Sequence, residues 1–301
     1  MMIEKVTYKK LLPSLVLFLG LISCIEEINF ENESFEYTLI IDATITNEEK
    51  QHSIFITRAH RFDEEGPNKV TGATVVVETE AAMYSFEEIE PGTYTSTQSF
   101  KAEPNSTYIL QITTKDGELY SSSTTQLTPA TAIDNLYAVR ETNDDGVNGI
   151  SIYVDSFDST TTPNYYRYEF EETFQVVAPL WRSQDVIVIS DNFPDCSVAF
   201  QPRSRDEITC YRTEESKTLN VTTTESLDGN NLKEHLVRFL SSEDYRISYR
   251  YSILVQQYAI NENSYSFWNA IDNFNSESSI FSQVQTGFVA GNITSVNNPS
   301  K

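Results

Sequence analysis

One cysteine sits where acyl chemistry is possible. Cys24 follows Leu21-Ile22-Ser23 at the end of a leader that carries Lys5, Lys9 and Lys10 and then the apolar run Leu11 to Ile22. Lysines, an apolar stretch and a small residue before the cut form the grammar of an export signal. The run is 12 residues long, and a helix needs about 20 to span a bilayer. It is therefore too short to stay as an anchor. The tetrapeptide Leu21-Ile22-Ser23-Cys24 resembles a lipobox, in which the cysteine is diacylated and becomes the mature N-terminus. The alternative is an ordinary secretory signal with a chance cysteine. Two or three palmitate-type chains, at about 0.8 kcal/mol per buried methylene, make a stable anchor.

The next residues add a direction. Ile25-Glu26-Glu27 places two acids just beyond the anchor. This resembles the acidic export signal that sends Bacteroidota lipoproteins to the outer face of the outer membrane. A solvated tether, also carrying Glu31, Glu33 and Glu36, explains the same acids. The expected layout is a signal over 1–23 and an acidic tether over 24–36.

Away from the anchor the readable chemistry is sparse. Cys196 and Cys210 are the other two cysteines, 14 positions apart in an exported chain. That pattern predicts a disulfide, and a loop of this size contributes about 3 kcal/mol in the chain-entropy model. Two free thiols are the alternative. A zinc site is disfavoured because His52, His60 and His235 lie far from both cysteines in sequence. No nucleophile elbow, zincin motif or P-loop is present. With 44 acids, paired carboxylates of glycosidase type are expected by chance. Asn143-Asp144-Asp145-Gly146 has part of a calcium loop but lacks its full spacing, so a solvated turn is expected. Asp158-Ser159-Thr160 fits the short O-glycosylation pattern of Bacteroidota on three residues alone. The best candidate ligand surface is aromatic: Tyr165, Tyr166, Tyr168, Trp181, Tyr249 and Tyr251, with Tyr245 nearby. Tyrosines alternating on strands line grooves for sugars or peptides, or else fill a core. No cofactor and no metal is called for.

The charge balance excludes some partners. The chain carries a formal −23. Loss of residues 1–23 takes away three lysines and Glu4, a net +2, which leaves −25 on 278 residues. Nucleic-acid binding needs a basic face, and an anionic lipid surface repels such a chain.

The elements that must position these groups read as strands. Short β-branched and aromatic runs begin at Thr38, His52, Ala73, Met83, Thr93, Thr107 and Leu119, with turn signals between them. Seven such strands predict an immunoglobulin-like β-sandwich over 37–128. Pro129-Ala130 marks a boundary. A second β-rich, sandwich-like domain is expected over 129–301, with strands at 150–154, 165–170, 186–189 and 249–255. Its one helix is expected at 263–274, where Phe267, Ile271 and Phe274 form a stripe that Tyr265 and Trp268 widen. The fold class is mainly β.

Several phrases recur in order: LIIDATITN (39–47), KVTGATVVVE (69–78), EPGTYTS (90–96), EPNSTYILQITTKDGELYSSS (103–123), PNYYRYEF (163–170), ILVQQYAINENSYSFWNAI (253–271) and GNITSVNNP (291–299). Together with the lipobox they resemble the Bacteroidota lipoprotein family catalogued as domain of unknown function 4249. The resemblance implies a surface lipoprotein beside a TonB-dependent transporter, acting in capture or delivery. The family pattern runs on past GNITSVNNP into a Gly-Tyr-Phe type strand, which implies that the second domain lacks its final strand.

The expected function is thus a non-enzymatic outer-membrane lipoprotein, exposed at the cell surface and partnering a TonB-dependent transporter in nutrient capture, with a glycan or peptide as ligand. The alternatives are a secreted glycan hydrolase using paired carboxylates, and a structural or adhesive surface protein.

Overall fold

The computed structural model describes residues 38–60, 64–160, 162–205, 207–227, 229–276, 289 and 291–297. The signal, the tether, Cys24, Glu26 and Glu27 lie outside the described residues.

The first unit is built from β1 (Leu39–Ala43), β2 (Ser53–Arg58), β3 (Asn68–Lys69), β4 (Thr74–Glu78), β5 (Met83–Glu90), β6 (Thr93–Ser96), β7 (Thr107–Thr113), β8 (Leu119–Ser122) and β9 (Thr125–Gln126). The main path of the sheet runs β1-β2-β6-β5-β4-β7-β8. Alternate residues face inward: Ile54 and Ile56 of β2, Val75 and Val77 of β4, Leu110 and Ile112 of β7. These buried residues belong to one core cluster with Val70, Phe86, Tyr94 and Phe100. Strands along the whole path share that core, so the sheet curls its inner face around it. The whole path is one continuously hydrogen-bonded sheet. Tyr94 is fully buried, yet its hydroxyl donates to Val70 O at 2.9 Å and accepts from Ala73 N–H at 3.0 Å. The β5–β6 turn requires glycine. Gly92 has φ +74°, and a Cβ there would stand 2.8 Å from Ile56 O.

The second unit comprises β10 (Asn135–Thr142), β11 (Asn148–Asp158), β12 (Tyr165–Val177), β13 (Gln184–Ser190), β14 (Ser197–Pro202), β15 (Thr209–Glu215), β16 (Val221–Thr223), β17 (Asn230–Ser241), β18 (Tyr251–Ile260) and α1 (Glu262–Ser276). One sheet runs β10-β11-β17; another pairs β12 with β15 and β16, and with β18. Val154, Leu232 and Val237 from the first pack with Tyr166, Tyr168, Phe170 and Val255 from the second. This is a sandwich of two sheets over one core. The mainly β expectation and the single short helix both stand.

Two features depart from the expected layout. A final strand, β19 (Ile293–Ser295), pairs antiparallel with β8, with Ile293 opposite Ser122 and Ser295 opposite Tyr120. The segment assigned to the second domain at its C-terminal end therefore extends the first unit's sheet, because β8 offers a free edge there. Second, β13 and β14 form a two-stranded sheet of their own that joins neither layer.

Candidate functional site

A cleft of ≈ 490 Å³ lies where the two units meet. The first unit contributes the end of β1 and the approach to β2, including Asp42, Lys50 and His52. The second contributes Arg167 and Glu169 from β12, the link from Ser216 to Asn220, Tyr258 of β18 and Trp268 of α1.

Arg167 is the centre of one wall. Tyr166 and Tyr168 point into the core, so the pleat sends Arg167 to the opposite face. Its cross-strand partner is Tyr258. The guanidinium carbon sits 5.2 Å from the Tyr258 ring centroid and 5.1 Å from that of Trp268, a double cation–π contact. Arg167 Nη2 also pairs with Glu169 Oε1 at 2.9 Å. Its Nε is buried with no hydrogen-bond partner. The helix α1 thus acts here through one side chain: it sets Trp268 over the arginine. Lys217 adds an exposed cation with no carboxylate within ion-pair reach among the described residues.

The facing wall is held by His52, which is buried. Its Nε2 bonds Phe100 O at 2.9 Å and its ring packs edge-on against Phe100. Burial lowers its pKa, although the Phe100 carbonyl opposes this. Nδ1 is buried and without a partner.

Behind the Arg167 wall lies a second hydrogen-bonded network. Tyr168 donates to Gln257 Oε1 at 2.8 Å, as does Ser156 at 2.7 Å. Gln257 Nε2 donates to Thr131 O at 2.9 Å, which pins the segment joining the two units. His235 stacks on Tyr168, and its Nε2 bonds Asn220 Oδ1 at 2.7 Å. Burial pushes the His235 pKa down to about 4 and the Tyr168 hydroxyl upward.

The aromatic residues expected to form one ligand surface are dispersed. Tyr166 and Tyr168 are core residues, and of the set only Tyr168 touches the cleft. Tyr165 packs on Tyr265 of α1. Tyr251 donates to the buried Glu172 carboxylate at 2.8 Å. Trp181 lies near Arg203, and Tyr249 is exposed. Pleating separates Tyr165 from Tyr166, and Tyr251 stands opposite Phe174, about 30 Å along β12 from Tyr165.

The expected disulfide is also corrected. Cys196 and Cys210 are both free and exposed. Cys196 immediately precedes β14, whereas Cys210 is paired opposite Val176 of β12. Spacing along the chain placed them in one loop; the structure puts Cys210 in the β12 sheet and Cys196 in the turn that leads into β14. The Asn143 turn closes on itself, with Val147 N–H donating to Asn143 Oδ1 at 2.8 Å. Among the described residues no group of three or more His, Cys, Asp or Glu could hold a metal.

Sequence reasoning missed Arg167, Tyr258 and His52 as cleft residues and placed Trp268 only on the helix's apolar stripe. The available signal was Arg167 itself, the one cation on β12, set between Tyr166 and Tyr168.

The fold and cleft define a mainly β, two-unit protein with a polar and aromatic seam. The chain belongs to the family described as Domain of unknown function (DUF4249), whose model matches residues 25–301. No curated protein and no solved structure matches the chain.

Proposed function

We propose that this chain is a non-enzymatic binding lipoprotein: exported by residues 1–23, acylated at Cys24, displayed on the outer face of the outer membrane through Glu26 and Glu27, and associated with a TonB-dependent transporter that receives its ligand. The observation that carries the binding reading is the cleft. It gathers Lys50, Arg167 and Lys217 in a chain of net −23. It also sets Trp268 and Tyr258 beside hydroxyl-bearing Thr44, Thr46, Ser53 and Thr218. Rings supply contact area and hydroxyls supply orientation, a lining suited to a glycan or a peptide.

The test has two arms. Detergent-stable pulldown of tagged protein from outer membranes recovers a TonB-dependent transporter as its main partner. Incubation with glycans and peptides gives binding, weakened by Trp268→Ala, and no product. Hydrolysis lost on a single Asp→Ala or Glu→Ala change overturns the reading in favour of the glycan hydrolase.

A further inference from the structure

The β13–β14 hairpin carries an apolar face that nothing among the described residues covers. Val186 lies opposite Phe200, and Val188 opposite Val198. Residues two apart on a strand share a face, so these four side chains form one patch, two rows deep. They are 58–67% exposed. Ile187 and Ala199, on the other face, are half-buried. A water-facing side of a sheet ordinarily carries polar residues; here the apolar side looks outward. Ile189, where the register shifts, and the tip residue Phe193, 93% exposed, are further uncovered apolar side chains of the hairpin. Two strands alone are marginally stable in water, and a contiguous apolar patch of this kind marks an interaction site.

The hairpin is also electrically polarised along its length. Its ion pairs, Arg203 to Asp185 at 2.7 Å and Arg205 to Glu207 at 3.2 Å, sit at the base. Arg182 joins them there, exposed. Asp191 and Asp195 flank Phe193 at the tip, with no cation partner among the described residues. Asp185 and Glu207 compensate Arg203 and Arg205, so Arg182 is the cation at the base without a carboxylate partner among the described residues, while the tip is acidic.

We infer that this face is the contact between two copies of this chain, packed face to face with their hairpins antiparallel about a two-fold axis. That orientation lays each acidic tip towards the other copy's Arg182, twice by symmetry. A parallel arrangement sets acid on acid. The antiparallel one also stacks the bulky Val186–Phe200 row on the slimmer Val188–Val198 row of the other copy, as two packed sheets require. The acidic tip and the net charge of −23 oppose an anionic lipid surface as the occupant.

The experiment uses the chain with Cys24→Ser, so that acyl groups do not drive association. Sedimentation across the micromolar range shows a dimer. Val188→Glu with Phe200→Glu, at exposed positions, weakens it roughly tenfold or more while the circular dichroism and melting curve stay unchanged. Two charge variants separate apolar contact from orientation. Asp191→Arg with Asp195→Arg weakens self-association, as does Arg182→Asp with Arg205→Asp, and mixing the two variants restores a dimer. A wild type that stays monomeric, a dimer the double Glu variant leaves intact, or a mixture that fails to pair overturns the proposal. Wild-type binding to phosphatidylglycerol vesicles that is lost in the double Glu variant overturns it in favour of lipid.

Discussion

Arg238 grips Glu172 with two nitrogens, Nε at 3.2 Å from Oε2 and Nη2 at 3.0 Å from Oε1, and so ties β17 of one sheet to β12 of the other. Glu172 is buried. Tyr251 donates to it at 2.8 Å, and Arg246 approaches at 3.5 Å while also reaching Glu214 and Asp244. A carboxylate in the sandwich core is tolerable only with this many donors.

Removing that carboxylate leaves the Arg238 guanidinium and the Tyr251 hydroxyl without their acceptor, while Arg246 keeps Asp244 and Glu214. Glu172→Ala lowers unfolding free energy by about 3–5 kcal/mol, the usual cost of breaking a buried pair. Glu172→Gln, which keeps an acceptor for Tyr251, costs less. Urea denaturation of the three proteins checks the order; equal midpoints would contradict it.

Acid sensitivity follows from His235. Burial holds its pKa down at about 4 against an ordinary 6.5. The unfolded chain takes up a proton near pH 6.5 that the folded chain refuses until about pH 4. Stability therefore falls as pH drops through that window, by up to about 3 kcal/mol from this group, and is unaffected by it at higher pH. His52, also lowered by burial, acts in the same direction. Urea midpoints measured from pH 7.5 to pH 4.5 should fall, and His235→Gln should flatten the slope.

Cys196 and Cys210 are exposed thiols, the first in the turn before β14 and the second within β15. Mass spectrometry after alkylation of the native, unreduced protein should find both modified. Recovery of a peptide joined through these two residues would contradict the structure.

For the anchor, Cys24→Ser should abolish fatty-acid labelling and shift the protein from membrane to soluble fractions. Proteolysis of intact cells should degrade the wild type, and Glu26→Ala with Glu27→Ala should protect it. Equal labelling of Cys24→Ser would remove the acylation reading, and a protected wild type would remove the surface reading.

Local patterning made most of the strands legible. β4 shows why: Val75-Val76-Val77 is β-branched, with Gly72 before it and Glu78 closing it. The helix was readable from the stripe at Phe267 and Ile271. β17 was not, because its alternation breaks where Glu234 takes φ +52° and the register with β11 shifts. The cleft was illegible for a different reason. His52 and Trp268 meet across it only through tertiary packing, and neither carries a local signature of that role. The aromatic residues failed as a predicted surface because composition counts rings without saying which side of the pleat each occupies.

The pairing of β19 with β8 means that the second unit is an insertion within the first. The first unit's sheet stays one strand short until the whole inserted unit has been synthesised, so the two cannot fold strictly one after the other. Both ends of the insertion return to the first unit: Pro129-Ala130 follows β9, and Ile293 lies opposite Ser122 of β8. A change in the spacing of Ser122 and Ile293 is therefore felt in the first unit's sheet and in the inserted unit alike.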